Sequence, residues 1–355
     1  MIECTRKVQA MWDRPLEYAV IEITNRCNLR CPFCASNSGV ERPGALGADE
    51  WISILEQMAE LGGKEVTLIG GEIFLFPEWE RVARAVTEVG MELVIITNGL
   101  LVTDTIYERM MRLHPSTIGV SLDGQNREVY KKCRGVDGFD RALGLLKRLI
   151  ADGYPSVNSI TTFTNANYDA FDDFVPLLEN TGITWQIKIA NAVSERFEPE
   201  LSFSLSQYEV VTEKITTLLL ERSDSLYIAP MDDFGYFPFD KRLSNYHKHW
   251  EGCQGGLSLI GIRSNGDLLP CLSMGDPFIV ANLKEISLSD AWHSDTVFQL
   301  FRNKAGSLKG ECALCPKAED CRAGCSAMAF TTTGSVHENL YCMRRIQTDA
   351  VISKL

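Results

Sequence analysis

Along the first two thirds of the chain, two hydrophobic patterns alternate. Short runs rich in Val, Ile and Thr occupy residues 18–24, 65–69, 92–97, 117–122, 156–162 and 184–189, with the length and composition of strands. Between them lie helix-like patterns at 48–61, 78–89, 104–113, 139–152 and 168–180, and another at 206–221 follows the last strand. Six βα units predict an α/β fold with a parallel sheet and helices packed outside it. A partial (β/α)6 TIM-type barrel fits the count, two units short of a full barrel, and a doubly wound open sheet is the alternative. In either architecture the ligand site lies at the C-terminal ends of the strands.

Residues suited to chemistry fall at those ends. Cys27, Cys31 and Cys34 follow the first strand, and Gly70, Gly71 and Glu72 the second; Asn98 and Gly99 follow the third, and Ser121 and Asp123 end the fourth. Four separate segments converging on one rim carry more weight than any one of them. From about Asp224 to Trp250 the alternation stops, and the aromatic stretch 231–238 reads as a bridging loop. Beyond Cys253 long helical patterns are few while Gly, Asn and Asp are many, so metal clusters are expected to staple a segment that buries little apolar surface. The predicted division is a lead-in at 1–15, a core at 16–222, a bridge at 223–252 and a loop-rich C-terminal domain with a final helix at 253–355.

Composition narrows the function. A chain of 355 residues that is 45% hydrophobic can bury a sizeable core and form one large domain plus a smaller one. No run of eighteen apolar residues occurs, so no membrane span is expected. Residues 1–14 carry charges throughout and lack a signal-peptide core, which predicts a cytoplasmic protein. A net charge of −12 and a pI near 5.0 argue against nucleic acid as a partner, because such binding neutralises phosphates with basic side chains.

Twelve cysteines are many for a reducing compartment, and their clustering points to metal rather than disulfides. Cys27, Cys31 and Cys34 form a C-x3-C-x2-C motif. Three thiolates can hold three irons of a [4Fe–4S] cluster and leave the fourth open for a ligand. A zinc site would want four ligands, and no nearby histidine completes one.

The motif, with Phe33 before its last cysteine, resembles that of the radical S-adenosylmethionine (SAM) superfamily, over roughly residues 18–189. The resemblance implies that the cofactor's methionine group chelates the open iron and that an electron from the cluster cleaves the sulfonium. The products would be methionine and a 5′-deoxyadenosyl radical that abstracts hydrogen from substrate. Gly70-Gly71-Glu72 is similar to the family's GGE motif, whose backbone and acid hold the methionine amine, with Ile73 in place of the usual Pro. Glycines admit close backbone approach, and a carboxylate suits an ammonium. Ser121 would contact the carboxylate or ribose of the cofactor, with strand-end capping as its ordinary alternative. Asn98 has the alternative of a plain Asn-Gly turn. Arg134 would pair with the methionine carboxylate.

The later cysteines follow C-x12-G-x4-C from Cys253 through Gly266 to Cys271, then C-x2-C-x5-C-x3-C over Cys312, Cys315, Cys321 and Cys325, and end at Cys342. This order resembles the SPASM domain, a C-terminal extension of one radical SAM subfamily. The resemblance implies two auxiliary iron–sulfur clusters. Cys312, Cys315, Cys321 and Cys342 would hold one; Cys253, Cys271 and Cys325 would hold the other, with an open iron, another ligand such as His247 or His249, or a smaller cluster. It further implies an electron donor such as flavodoxin or ferredoxin and, for most relatives, a peptide substrate that is oxidised or crosslinked. Fewer than twenty residues precede the first strand, so a separate leader-binding protein is a candidate partner. The alternative is a radical oxidoreductase or epimerase of a small molecule such as a sugar or cyclitol. Sulfatase-activating relatives carry Asp where Leu272 stands. Cys133 is a candidate hydrogen-atom donor to a substrate radical; a small buried hydrophobe is its ordinary role.

Overall fold

A computed structural model describes residues 14–231, 234–239, 241–242 and 250–354. In chain order its main elements are β1 (Tyr18–Glu22), α1 (Ala48–Glu60), β2 (Glu65–Ile69), α2 (Trp79–Glu88), β3 (Glu92–Thr97), α3 (Asp104–Met111), β4 (Thr117–Ser121), α4 (Arg127–Arg134), α5 (Phe139–Ala151), β5 (Val157–Phe163), β6 (Thr184–Ile189), α6 (Leu205–Glu221) and β7 (Tyr227–Pro230). Then follow β8 (Leu259–Ile262), β9 (Asp267–Leu269), β10 (Ala281–Asn282), α7 (Leu288–His293), α8 (Ser326–Thr333) and α9 (Met343–Ile352). The chain divides into two compact units. The first comprises residues up to Ser121 and Gln254–Asn303; the second comprises Leu122–Cys253 and Lys304–Leu355.

In the first unit the strand order is β10-β9-β8-β1-β2-β3-β4. β8, β1, β2, β3 and β4 run parallel, while β9 and β10 are antiparallel additions. Ala19 and Ile21 of β1 align with Val66 and Leu68 of β2, and these with Leu93 and Ile95 of β3. All six are buried, so the period-two pattern sends one continuous apolar face toward the helices. α1 answers with Trp51, Ile54, Leu55 and Met58, spaced along one stripe. Its start is capped where the Glu50 carboxylate accepts the Gly47 N–H at 2.8 Å.

In the second unit β5, β6 and β7 form a parallel ladder. Phe163, Phe171 and Phe174 crowd around Trp185, whose indole N–H donates to Thr161 Oγ1 at 2.9 Å. The mixed α/β class and the parallel βα succession predicted from sequence are observed. Two local expectations change. Residues 168–180 form turns at Tyr168–Ala170 and Asp172–Phe174 and a short helix at Val175–Leu178 rather than one helix. Pro176 explains the break, since it has no N–H to extend a preceding turn. Residues 127–134, not predicted as an element, are helix α4. The aromatic stretch after β7 packs inward: Phe234 is buried and stacks on Tyr208, and Tyr236 is buried against Trp250.

Candidate active site

The segment leaving β1 turns across the C-terminal end of the first unit's parallel strands. Gly71 N–H donates to Thr24 O at 2.7 Å and Glu72 N–H to Arg26 O at 2.8 Å, which ties the loop after β2 to the segment that carries the first cysteines. A Cβ on Gly71 would lie 2.2 Å from Arg26 O, and one on Gly70 would lie 2.7 Å from Thr24 O. The glycine pair is therefore required by the neighbouring backbone as well as by any ligand.

Glu72 is 1% exposed. Its carboxylate accepts from Thr97 Oγ1 at 2.6 Å and from Asn98 N–H at 2.8 Å. These two bonds orient the acid at the end of β3. Asn98 in turn donates from Nδ2 to Asn28 Oδ1 at 2.8 Å and accepts from Leu100 N–H at 2.9 Å. Its amide thus links the end of β3 to the residue after Cys27. Ser121, half-buried at the end of β4, has a hydroxyl with no hydrogen-bond partner among the described residues.

Cys27, Cys31 and Cys34 carry no disulfide, and Cys31 and Cys34 lie close enough to Cys27 to raise its proton affinity electrostatically. Leu29 N–H points at Cys27 Sγ at 3.3 Å and Ser38 N–H at Cys34 Sγ at 3.4 Å. Burial, with smaller contributions from Glu72 and the other two thiols, pushes Cys27 up to about 11. Such thiols stay protonated near neutral pH until a metal displaces the proton. Among the described residues no three His, Cys, Asp or Glu side chains converge tightly enough for a single metal ion. Soft sulfur donors that receive backbone N–H bonds, spread over a loop, fit a multi-iron sulfide cluster.

The cluster loop is anchored by a buried polar network that sequence reasoning missed. Glu22 at the end of β1 is paired with Arg42, and Ser264 N–H also reaches Glu22 at 3.3 Å. Glu41 accepts from Thr24 Oγ1, from Asn25 N–H at 2.9 Å and from Ser264 Oγ at 2.8 Å. Burial opposes ionisation of Glu41, yet these hydrogen bonds hold its carboxyl below the usual range. The motif gives no hint of this network, because its members lie up to 242 positions apart.

The second unit holds the other expected residues. Arg134, at the end of α4, makes an ion pair with Asp123, whose other oxygen accepts Thr162 N–H at 2.7 Å. Cys133 is fully buried in the same helix. Cys312, Cys321 and Cys342 are electrostatically coupled to one another, and Cys312 is coupled to Cys315 as well. Burial pushes Cys321 up to about 11 and Cys342 up to about 12, and backbone N–H groups of Arg344 and Arg345 at the start of α9 face Cys342. Cys253 and Cys325 belong to this unit and Cys271 to the first, where Ser273 N–H lies 3.4 Å from its sulfur. His247 and His249 lie outside the described residues.

Comparison with known proteins agrees with this geometry. The profile of the Radical SAM superfamily matches residues 21–178, and that of an iron-sulfur cluster-binding domain, SPASM, matches residues 253–316. The chain is 27% identical to an AdoMet-dependent heme synthase of Methanosarcina barkeri over 341 residues, covering 91% of this chain and 95% of that protein. It is also 27% identical to a PqqA peptide cyclase of Granulibacter bethesdensis over 327 residues, covering 89% and 83%. The fold superposes on the crystal structure of Streptococcus suis SuiB bound to S-adenosylmethionine with a TM-score of 0.73 at 22% identity, covering 95% of this chain and 80% of that one. A cysteine loop after β1 braced against Gly70-Gly71-Glu72, in a mixed α/β fold of the partial-barrel type, thus meets two matching profiles, and the chain carries a radical SAM domain followed by a SPASM iron–sulfur domain.

Proposed function

We propose that this chain is a radical SAM enzyme that modifies a peptide or protein substrate and uses auxiliary iron–sulfur clusters to produce an oxidised or crosslinked product. The observation that carries the cofactor assignment is the placement of Glu72. Its buried carboxylate is held by Thr97 and Asn98 and lies within electrostatic range of Cys27. A fixed anion beside an iron-binding thiol suits a ligand that presents an ammonium next to the metal. When bound, the cluster on Cys27, Cys31 and Cys34 supplies the electron that cleaves adenosylmethionine. Ser121 adds a hydroxyl without a hydrogen-bond partner among the described residues at the same strand ends. Arg134 is engaged by Asp123 and acts by fixing the β4–α4 connection.

The seven later cysteines hold the auxiliary centres in the grouping given by the family pattern: Cys312, Cys315, Cys321 and Cys342 for one; Cys253, Cys271 and Cys325 for the other. In functional terms residues 16–222 cleave the cofactor, 223–252 bridge, and 253–355 carry the auxiliary centres. Hydrogen abstraction takes one hydrogen atom from the substrate. An auxiliary centre held by these cysteines would supply an acceptor for one further electron, and with one proton lost to solvent the substrate would be oxidised by two electrons. A flavodoxin- or ferredoxin-type donor supplies the reducing electron in the cytoplasm.

A peptide substrate is supported by the relationship to the PqqA peptide cyclase. The equally identical heme synthase, covered over 95% of its length, favours a second reading, oxidation of a small molecule. Mass spectrometry separates them. Short peptides encoded beside this chain are incubated with it, adenosylmethionine and reductant. A product lighter by two mass units per event, dependent on the auxiliary cysteines, supports peptide oxidation. Unchanged mass with deuterium taken up from solvent identifies epimerisation instead. Turnover of a small metabolite alone overturns the peptide reading.

A further inference from the structure

We propose that Lys304 is a fixed positive charge, placed among the cysteines of the second unit, that raises the reduction potential of the auxiliary iron–sulfur centres. The proposal rests on the reading that those cysteines hold clusters.

Lys304 is 2% exposed. Its Nζ donates to Ser326 Oγ at 2.9 Å and to Gly324 O at 3.4 Å. These acceptors belong to the residues on either side of Cys325, so the ammonium is pinned against that cysteine's backbone. Among the described residues no carboxylate pairs with it. A buried ammonium needs an opposite charge, since a lone ion in a protein interior costs several kcal/mol. Arg302 offers an instructive contrast. That buried cation rests over the rings of Trp292 and Phe298, at 4.7 and 5.3 Å, and donates to two carbonyls. Among the described residues no ring lies beneath Lys304.

The groups that face Lys304 are mainly thiols, with Arg322 and His337 also within electrostatic range. Cys253, Cys321 and Cys325 interact with its charge, and Cys312 feels that charge in return. Burial, with a smaller contribution from Arg322, lowers the proton affinity of the amine in the metal-free chain, and these sulfurs oppose that shift. Lys304 therefore adjoins members of both groups of expected ligands. As neutral thiols they leave the ammonium uncompensated. As thiolates on iron–sulfur centres, which carry net negative charge, they compensate it. Reduction adds one negative charge to such a centre, and a nearby cation stabilises the reduced form more than the oxidised one. The effect favours acceptance of an electron from a substrate radical. Lys304 touches no substrate in this account; it is a positioning charge.

The test is a redox titration of the full-length, cluster-loaded enzyme followed by electron paramagnetic resonance, with iron and sulfide measured on the same samples. Lys304→Met should lower the auxiliary potential, with an expected tenfold fall in the reduced-to-oxidised ratio at a given poise, about 59 mV for one electron. Lys304→Arg should stay near the wild-type value. If Lys304→Met loses iron, Lys304→Gln keeps a polar group and takes its place. Loss of iron from both neutral variants but not from Lys304→Arg also supports the charge role. An unmoved potential at full iron content, or loss of iron from all three variants, overturns it. Wild-type protein with iron for only one cluster would instead overturn the underlying reading.

Discussion

Arg42 grips Glu22 with two hydrogen bonds, Nε to Oε1 at 2.7 Å and Nη2 to Oε2 at 3.2 Å. Glu22 is fully buried at the end of β1, and the same guanidinium donates to Ser36 O at 3.0 Å. One side chain thus fastens both the far side of the cysteine loop and the strand from which the loop departs. The planar fork suits a carboxylate in a way that an ammonium does not.

Removing that fork should therefore do more than weaken the fold. Arg42→Leu leaves Glu22 buried without its cation and should cost about 3 kcal/mol. Arg42→Lys, which keeps the charge and loses the fork, should fall between. Denaturant midpoints and the iron bound by the N-terminal cysteines report the two effects. Wild-type stability and iron content in Arg42→Leu would show that the pair does not brace the loop.

Glu41 makes the loop sensitive to acid. Its carboxyl is held below the ordinary value of 4.5 by hydrogen bonds from Thr24, Asn25 and Ser264, against the cost of burial. The stabilisation is fully present above the unfolded value and is lost as pH falls through the lower folded value. The stability difference between wild type and Glu41→Gln should be largest near neutral pH and shrink below about pH 4.5. A difference independent of pH from 7 to 3, followed by thermal melts of metal-free protein, would contradict this assignment.

Glu72→Gln should weaken adenosylmethionine binding by about 1–3 kcal/mol, the worth of a charged hydrogen bond, with iron content unchanged. Thr97→Val removes one donor to the acid while leaving its charge, and should cost less. Equilibrium binding to the anaerobic, cluster-loaded protein measures both. Equal losses in the two variants would mean that orientation of the acid, not its charge, is what the cofactor needs.

Sequence periodicity located the six parallel strands to within about two residues because each has a buried, β-branched face. It missed α4, Arg-Glu-Val-Tyr-Lys-Lys-Cys-Arg, whose buried residues are only Tyr130 and Cys133; so narrow a stripe gives little periodic signal. It missed β7, which ends in Pro230, and β8 with its Gly261, for the same kind of reason. Gly261 is needed because a Cβ there would lie 2.5 Å from Leu272 N. The cysteine motifs were legible because their spacing is local. The Glu22–Arg42 pair, the Arg134–Asp123 pair and the burial of Lys304 arise from tertiary contact between polar residues that look like ordinary surface in a linear reading.

Cofactor cleavage at Cys27, Cys31 and Cys34 is measured most directly as 5′-deoxyadenosine formed by reduced protein. Wild type should release it together with methionine. The triple Cys27→Ala, Cys31→Ala, Cys34→Ala variant should lose about four irons and all cleavage, while iron bound by the later cysteines remains. 5′-Deoxyadenosine produced by the triple variant at the wild-type rate would contradict the account at its centre.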